Sequence, residues 1–153
     1  MRLLIVGEAP SSSPGEPLSG RAGSRLAGLM GLTLAEYLAA FERVNLLDAP
    51  QDRDSKGSAF PLLPAMLRAL ELRDGPWTHY LLAGKRVAAA FGFRGDACYL
   101  RWYLLAGKRY AVVPHPSGIV RWYNEPRNMA RAGRWLRRLR RAAQAPDRLL
   151  ASA

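Results

Sequence analysis

Several things are scarce in these 153 residues. There is one cysteine, Cys98, and only two histidines, His79 and His115. One cysteine excludes an internal disulfide framework and any four-cysteine zinc or iron–sulfur site within a single chain. The expected setting is therefore a reducing cytoplasm. Acidic residues are also few, 12 against 23 lysines and arginines, for a net charge of +11. So large a basic excess in one small domain favours a polyanionic partner. No apolar run is long enough to span a bilayer. The first one, Leu3 to Val6, is too short for the core of a signal peptide. With two histidines and one cysteine far apart in sequence, no metal or organic cofactor is expected.

What is present has the rhythm of a layered α/β domain. "RLLIV" at residues 2–6 reads as a buried strand, and apolar positions from Arg21 to Gly31 recur at helical spacing. "TLAEYLAAFERV" opens with Thr33 and has Glu36 three residues on, a capping box. "RVNLLD", residues 43–48, reads as a second buried strand with Asn45 in its middle. "LLPAMLRALEL" is helical, "THYLLAG" is a third strand, and "KRVAAAFG" is a short helix closed by Gly92. "YLRWYLLAGKRYAVVPHPSG" reads as a strand pair turning at Ala106–Gly107. A final helix runs from about Glu125 to Gln144. Strands alternating with helices predict a single α/β layered domain with a mostly parallel sheet over residues 1–145, and a tail at 146–153. In such sheets ligands sit beyond the carboxyl ends of the strands.

Three polar segments fall near those ends. "GEAPSSS" combines a glycine that lets the backbone turn, the carboxylate of Glu8, and three serines. It is also what an ordinary strand-to-helix connection looks like. "PHPSG" holds His115 between two prolines, which restricts the backbone on both sides. That suits an imidazole that must keep one orientation, or one that simply satisfies a carbonyl. Asn45, flanked by apolar residues, would need partners for both amide atoms if buried. It either caps a loop or pairs with a face that offers one donor and one acceptor, as uracil's does. In the last helix Met129, Ala132, Leu136, Leu139 and Ala143 form an apolar seam. Arg127, Arg131, Arg134, Arg138 and Arg141 form the opposite face, which is either a solvated surface or a phosphate-tracking stripe.

"GEAPSSSPGEPLSGRAGSRLAGLMG", "FERVNLLDAP", "LLAGKRVAAAFG" and "VVPHPSG" occur in the order seen in the uracil-DNA glycosylase superfamily. Over residues 3–140 the chain most resembles the thermophile-type bacterial and archaeal members. That resemblance implies a three-layer α/β/α fold around a central, mostly parallel four-stranded sheet, with base flipping and hydrolysis of the N-glycosidic bond of uracil, or of a related modified pyrimidine, in DNA, leaving an abasic site. It implies Glu8 and His115 as catalytic residues. Base contacts would come from Gly7, Ala9, Pro10, Leu18 and Asn45. DNA contacts would come from Ser11, Gly20, Arg21, Ser117, Gly118, Ile119 and Arg121, with Ile119 and Val120 as the duplex wedge. DNA is the expected partner, a membrane is not, and a monomer is expected.

The chain also departs from the family pattern. It lacks the cluster cysteines. Ser11 replaces a loop glycine, and Leu18 stands where a stacking Phe is usual, with Phe60 a possible substitute. Ala9 stands where the best-known members carry a water-activating Asp. Two other readings remain open: a DNA-binding member that has lost its chemistry, and a hydrolase of free nucleosides or nucleotides.

Overall fold

A computed structural model describes residues 1–10, 15–50, 60–93, 99–117 and 121–145. Five strands form one sheet: β1 (Leu3–Gly7), β2 (Glu42–Asn45), β3 (His79–Ala83), β4 (Trp102–Leu105) and β5 (Lys108–Val113). Their order is β2-β1-β3-β5-β4. The first four in that order run parallel, and β4 is an antiparallel edge strand. The sheet is mostly parallel, as expected, but among the described residues it has five strands where four are expected, because β4 joins β5 as the other arm of a hairpin. The hairpin turns at Ala106 and Gly107, whose φ values are 49° and 76°. Two left-handed residues in a two-residue loop match the twist of the strands they join.

Among the described residues five helices cover the sheet: α1 (Arg21–Met30), α2 (Leu34–Ala40), α3 (Leu62–Arg73), α4 (Lys85–Ala90) and α5 (Pro126–Gln144). The parallel strands are apolar on both faces because both faces are covered. Leu3, Ile5, Leu81, Ala83, Ala111 and Val113 share a core with residues of α1, α2 and α5. Leu4, Val6, Tyr80, Leu82, Tyr110 and Val112 share the other core with α3 and α4. On the second face Tyr80 and Tyr110 stack, with ring centroids 4.9 Å apart.

The structure corrects two boundaries. Helical spacing carries "TLAEYLAAFERV" through Val44, yet α2 stops at Ala40 and Phe41 is extended. Pairing of Glu42 with Leu4 and of Arg43 with Ile5 overrides local helix preference. Strand β2 then ends at Asn45, so that residue lies at the strand's carboxyl end and not in its middle. Leu46 and Leu47 leave the strand but still donate their backbone N–H groups to Gly7 O and Glu8 O, each at 3.0 Å.

The strand order places a topological switch between β1 and β3. From β1 the chain moves outward to β2, then crosses back to β3 on the other side. Such a switch opens a crevice beyond the carboxyl ends of the two strands.

Candidate active site at the carboxyl rim of the sheet

Four strand ends contribute to this rim. Gly7 and Glu8 follow β1, Asn45 ends β2, Gly84 and Arg86 follow β3, and His115 follows β5. Gly7 is level with Asn45, and Ala83 is level with Val113. From β2 to β5 is three strand spacings, about 14 Å. That width accommodates a nucleotide.

Gly7, Leu18 and Asn45 meet directly. A Cβ added to Gly7 would lie 2.5 Å from Asn45 Oδ1 and 3.0 Å from Leu18 Cγ. The glycine is required here by that close approach. Asn45 is 9% exposed, and its Oδ1 has no hydrogen-bond partner among the described residues. A buried amide oxygen left unpaired costs about 1–3 kcal/mol. Leu18 is buried with φ 50°, a left-handed conformation that costs a leucine about 1–3 kcal/mol. Its surroundings hold it there. Leu18 O lies 1.9 Å from where a Cβ on Gly23 would sit, so only glycine admits the loop against α1. Arg43 Nε donates to Pro17 O at 3.1 Å and Nη1 to Leu38 O at 2.9 Å, tying the same loop to β2 and α2.

Glu8 projects toward the switch point. Its Oε1 accepts from Arg86 Nη1 at 3.0 Å, with the carboxylate 19% exposed and the guanidinium side chain 56%. Arg86 also lies over the ring of Phe60, 5.5 Å from its centroid. Phe60 therefore reaches the rim from the α3/α4 face, while Leu18 reaches it from the α1 face. Ala9 packs on the α3/α4 side, and Pro10 is half-buried beside it.

His115 is set by its own backbone and by β3. Ser117 N–H donates to His115 Nδ1 at 3.1 Å. In the neutral ring this leaves the proton on Nε2, assigned from the hydrogen-bond geometry. A Cβ on Gly84 would fall 3.2 Å from His115 Cβ. Gly84 also has φ 107° and donates its N–H to Val113 O at 2.8 Å. The Pro114–Ser117 turn is pinned at two further points: Tyr123 OH donates to Pro114 O at 2.7 Å, and Arg25 Nη1 donates to Ser117 O at 3.2 Å. The Arg25 guanidinium lies 5.2 Å from the centroid of the Tyr123 ring. Burial pushes the Tyr123 phenol well above its ordinary range, against a smaller opposing effect of Arg25, so it remains a donor.

A match to the model of the uracil DNA glycosylase superfamily covers residues 1–137. The chain belongs to that superfamily. A comparison with curated proteins finds no significant match.

In this member of the superfamily Gly7, Glu8, Leu18, Asn45 and His115 all lie at one rim. Gly20 is the N-cap of α1 and Arg21 its first residue, both exposed. Arg121 begins a 3-10 turn, Arg121–Asn124, and is exposed. Ser11, Gly118, Ile119 and Val120 lie outside the described residues, as does the tail 146–153. His79 starts β3, at the opposite end of the sheet from His115. Among the described residues no group of three or more His, Cys, Asp or Glu gathers to hold a metal. No helix among them is long and apolar enough to cross a membrane.

Sequence reading missed Arg86, Arg43, Arg25 and Tyr123. Arg86 had a faint signal, a basic pair directly after a strand-end glycine. The other three act across more than twenty residues of sequence or through the backbone, and nothing in their local pattern marks them.

Proposed function

We propose that this protein removes uracil, or a closely related modified pyrimidine, from DNA by hydrolysing its N-glycosidic bond. The observation that carries this reading is the unpaired, buried Oδ1 of Asn45 beside a side-chain-free Gly7. Uracil offers N3–H to that oxygen and O4 to the amide NH2. Cytosine sets a lone pair at N3 against Oδ1 and a donor against the NH2, and is rejected by the unmade bonds.

A base within a duplex is out of reach, so the nucleotide must leave the stack at a cost of a few kcal/mol. Leu18 on one side and Phe60 on the other supply apolar walls for the extruded ring. As the glycosidic bond lengthens, negative charge builds on the base and positive charge on the sugar. His115 donates from Nε2 toward the base oxygen, an effect worth about 3 kcal/mol for one well-placed donor. Glu8 offsets the charge on the sugar and orients the incoming water, with Arg86 fixing its carboxylate. Ala9 supplies no carboxylate, and Glu8 beside it takes that part.

The test is a panel of end-labelled oligonucleotides, each with one modified base, incubated with the protein and then heated in alkali. Cleavage at uracil or a 5-substituted uracil is expected, and none at cytosine. His115→Ala should slow single-turnover release about 100-fold with little change in duplex binding. If the wild-type protein binds the oligonucleotides but releases no base, the second reading holds, a DNA-binding member without chemistry. Ala9 in place of an acidic residue favours that reading.

A further inference from the structure

Helix α5 carries seven arginines and no acidic residue in its 19 residues. Two of the seven work inside the fold. Arg140 Nη1 donates to Gly31 O at 3.2 Å, capping the end of α1. Arg137 folds over Gly133, its Nη1 3.0 Å from where a Cβ would sit. The other five are Arg127, Arg131, Arg134, Arg138 and Arg141, and all are exposed. None of these five guanidinium groups has a hydrogen bond or ion pair among the described residues. At 3.6 residues per turn they fall within an arc of about 80°, opposite the buried Ala132, Leu136 and Leu139. The stripe is about 21 Å long.

A face whose only task is to be wet mixes charges of both signs. This one sets like charges at successive i,i+3 and i,i+4 positions, an arrangement that opposes the helix. A polyanion relieves the repulsion, and each guanidinium can fork onto phosphate oxygens. Beside the stripe lies a shallow groove of about 420 Å³ between α1 and α5, with Arg25 and Arg137 among its lining residues and Gly28 and Gly133 leaving its walls low. A phosphate backbone can approach closely there.

The direction of α5 matters. It starts just past the His115 turn and packs along α1 on one face of the sheet. The stripe therefore descends the side of the molecule, away from the rim. A duplex engaged at the rim leaves most of it uncovered. We propose that α5 is a second DNA-binding surface, separate from the base-excision rim, which tracks the backbone of a second duplex segment without reading sequence. The protein then bridges two duplexes and passes between them without first dissociating. This rests on the chain being a DNA-acting protein and is independent of which base, if any, it removes.

The experiment uses the full chain and two populations of undamaged duplex, one with a donor and one with an acceptor fluorophore. Wild-type protein should bring them together, giving energy transfer that is lost as salt rises. The triple variant Arg131→Gln/Arg134→Gln/Arg138→Gln should abolish the transfer and lower the slope of log K against log salt by about 2.7 for the second duplex. It should release base from a short uracil oligonucleotide at the wild-type saturated rate. The matching triple Arg→Lys variant should keep the bridging. Gly28→Glu puts a carboxylate in the groove, where a Cβ meets nothing within 4 Å, and should weaken bridging at least several-fold. It carries the test if the triple variant does not fold. Unchanged bridging in the arginine-to-glutamine variant, or in Gly28→Glu where it stands in, overturns the proposal and leaves a solvated face. Equal loss of first-duplex binding and base release also overturns it, because the stripe would then belong to the rim. Bridging by a wild-type protein that releases no base sinks the proposed catalysis and leaves this surface standing.

Discussion

Asn45 and Gly7 form one unit. The amide oxygen occupies the volume that a side chain at position 7 would take. Asn45→Ala removes a buried acceptor oxygen that has no partner among the described residues, so thermal stability should change little. Base release should nevertheless fall about 100-fold, the worth of two lost hydrogen bonds. Thermal unfolding and single-turnover kinetics on a uracil duplex check both halves. Gly7→Ala should do the reverse damage: its methyl group pushes on Asn45 Oδ1 and Leu18 and should cost about 1–3 kcal/mol of stability along with activity, read by denaturant midpoint and by the same kinetics. Glycine at the end of an apolar strand is legible in sequence as a place of close approach. Which atom approaches is not, because Asn45 is brought beside it only by parallel pairing of β1 with β2.

At the scale of elements, the turn that carries His115 is held from outside itself. Pro114 and Pro116 limit its backbone, and that much is visible in "PHPSG". The hydrogen bond from Tyr123 to Pro114 and the one from Arg25 to Ser117 come from the 3-10 turn and from α1. Tyr123→Phe keeps the ring in its buried place and removes one donor, leaving Pro114 O unpaired. It should cost about 1–2 kcal/mol in chemical denaturation. It should also lower kcat more than it raises KM, because it disturbs the orientation of the imidazole and not the pocket walls. An unchanged kcat would show that the turn holds its shape without the phenol. The end of α2 belongs to this scale too. Glu42 and Arg43 have helical spacing in the chain, yet hydrogen bonding to β1 draws them into the sheet.

For the whole molecule, pH acts through a histidine far from the rim. Burial lowers the pKa of His79 below its ordinary value of 6.5, assisted by Arg109 and the N-terminal amine. The folded state therefore takes up this proton less readily than the unfolded chain. Its neutral form contributes fully above about pH 6.5, and stability falls as pH drops toward the folded-state pKa. The melting temperature should be lower near pH 5 than near pH 7.5, and His79→Gln should narrow that difference. An identical pH profile in the variant would assign the effect to carboxylates alone. The His79 ring meets Trp102 edge-on, with ring centroids 5.2 Å apart.

By itself the sequence determined the class of the molecule. Apolar runs of strand length alternating with amphipathic helices leave few ways to bury both kinds of face, and a parallel sheet between helical layers is the one they fit. Its excess of arginine determined the sign of its net charge, since charge is conserved in any fold. Glu8, Asn45 and His115 stood out because polar groups beside apolar runs need a reason. Tertiary structure alone decided that Asn45 ends its strand, that Arg86 meets Glu8, that Leu18 is held left-handed against Gly23, and that Arg140 turns inward while Arg138 does not. Each of these depends on contacts between segments distant in the chain, whose geometry follows from strand pairing and close packing and leaves no trace in local spacing.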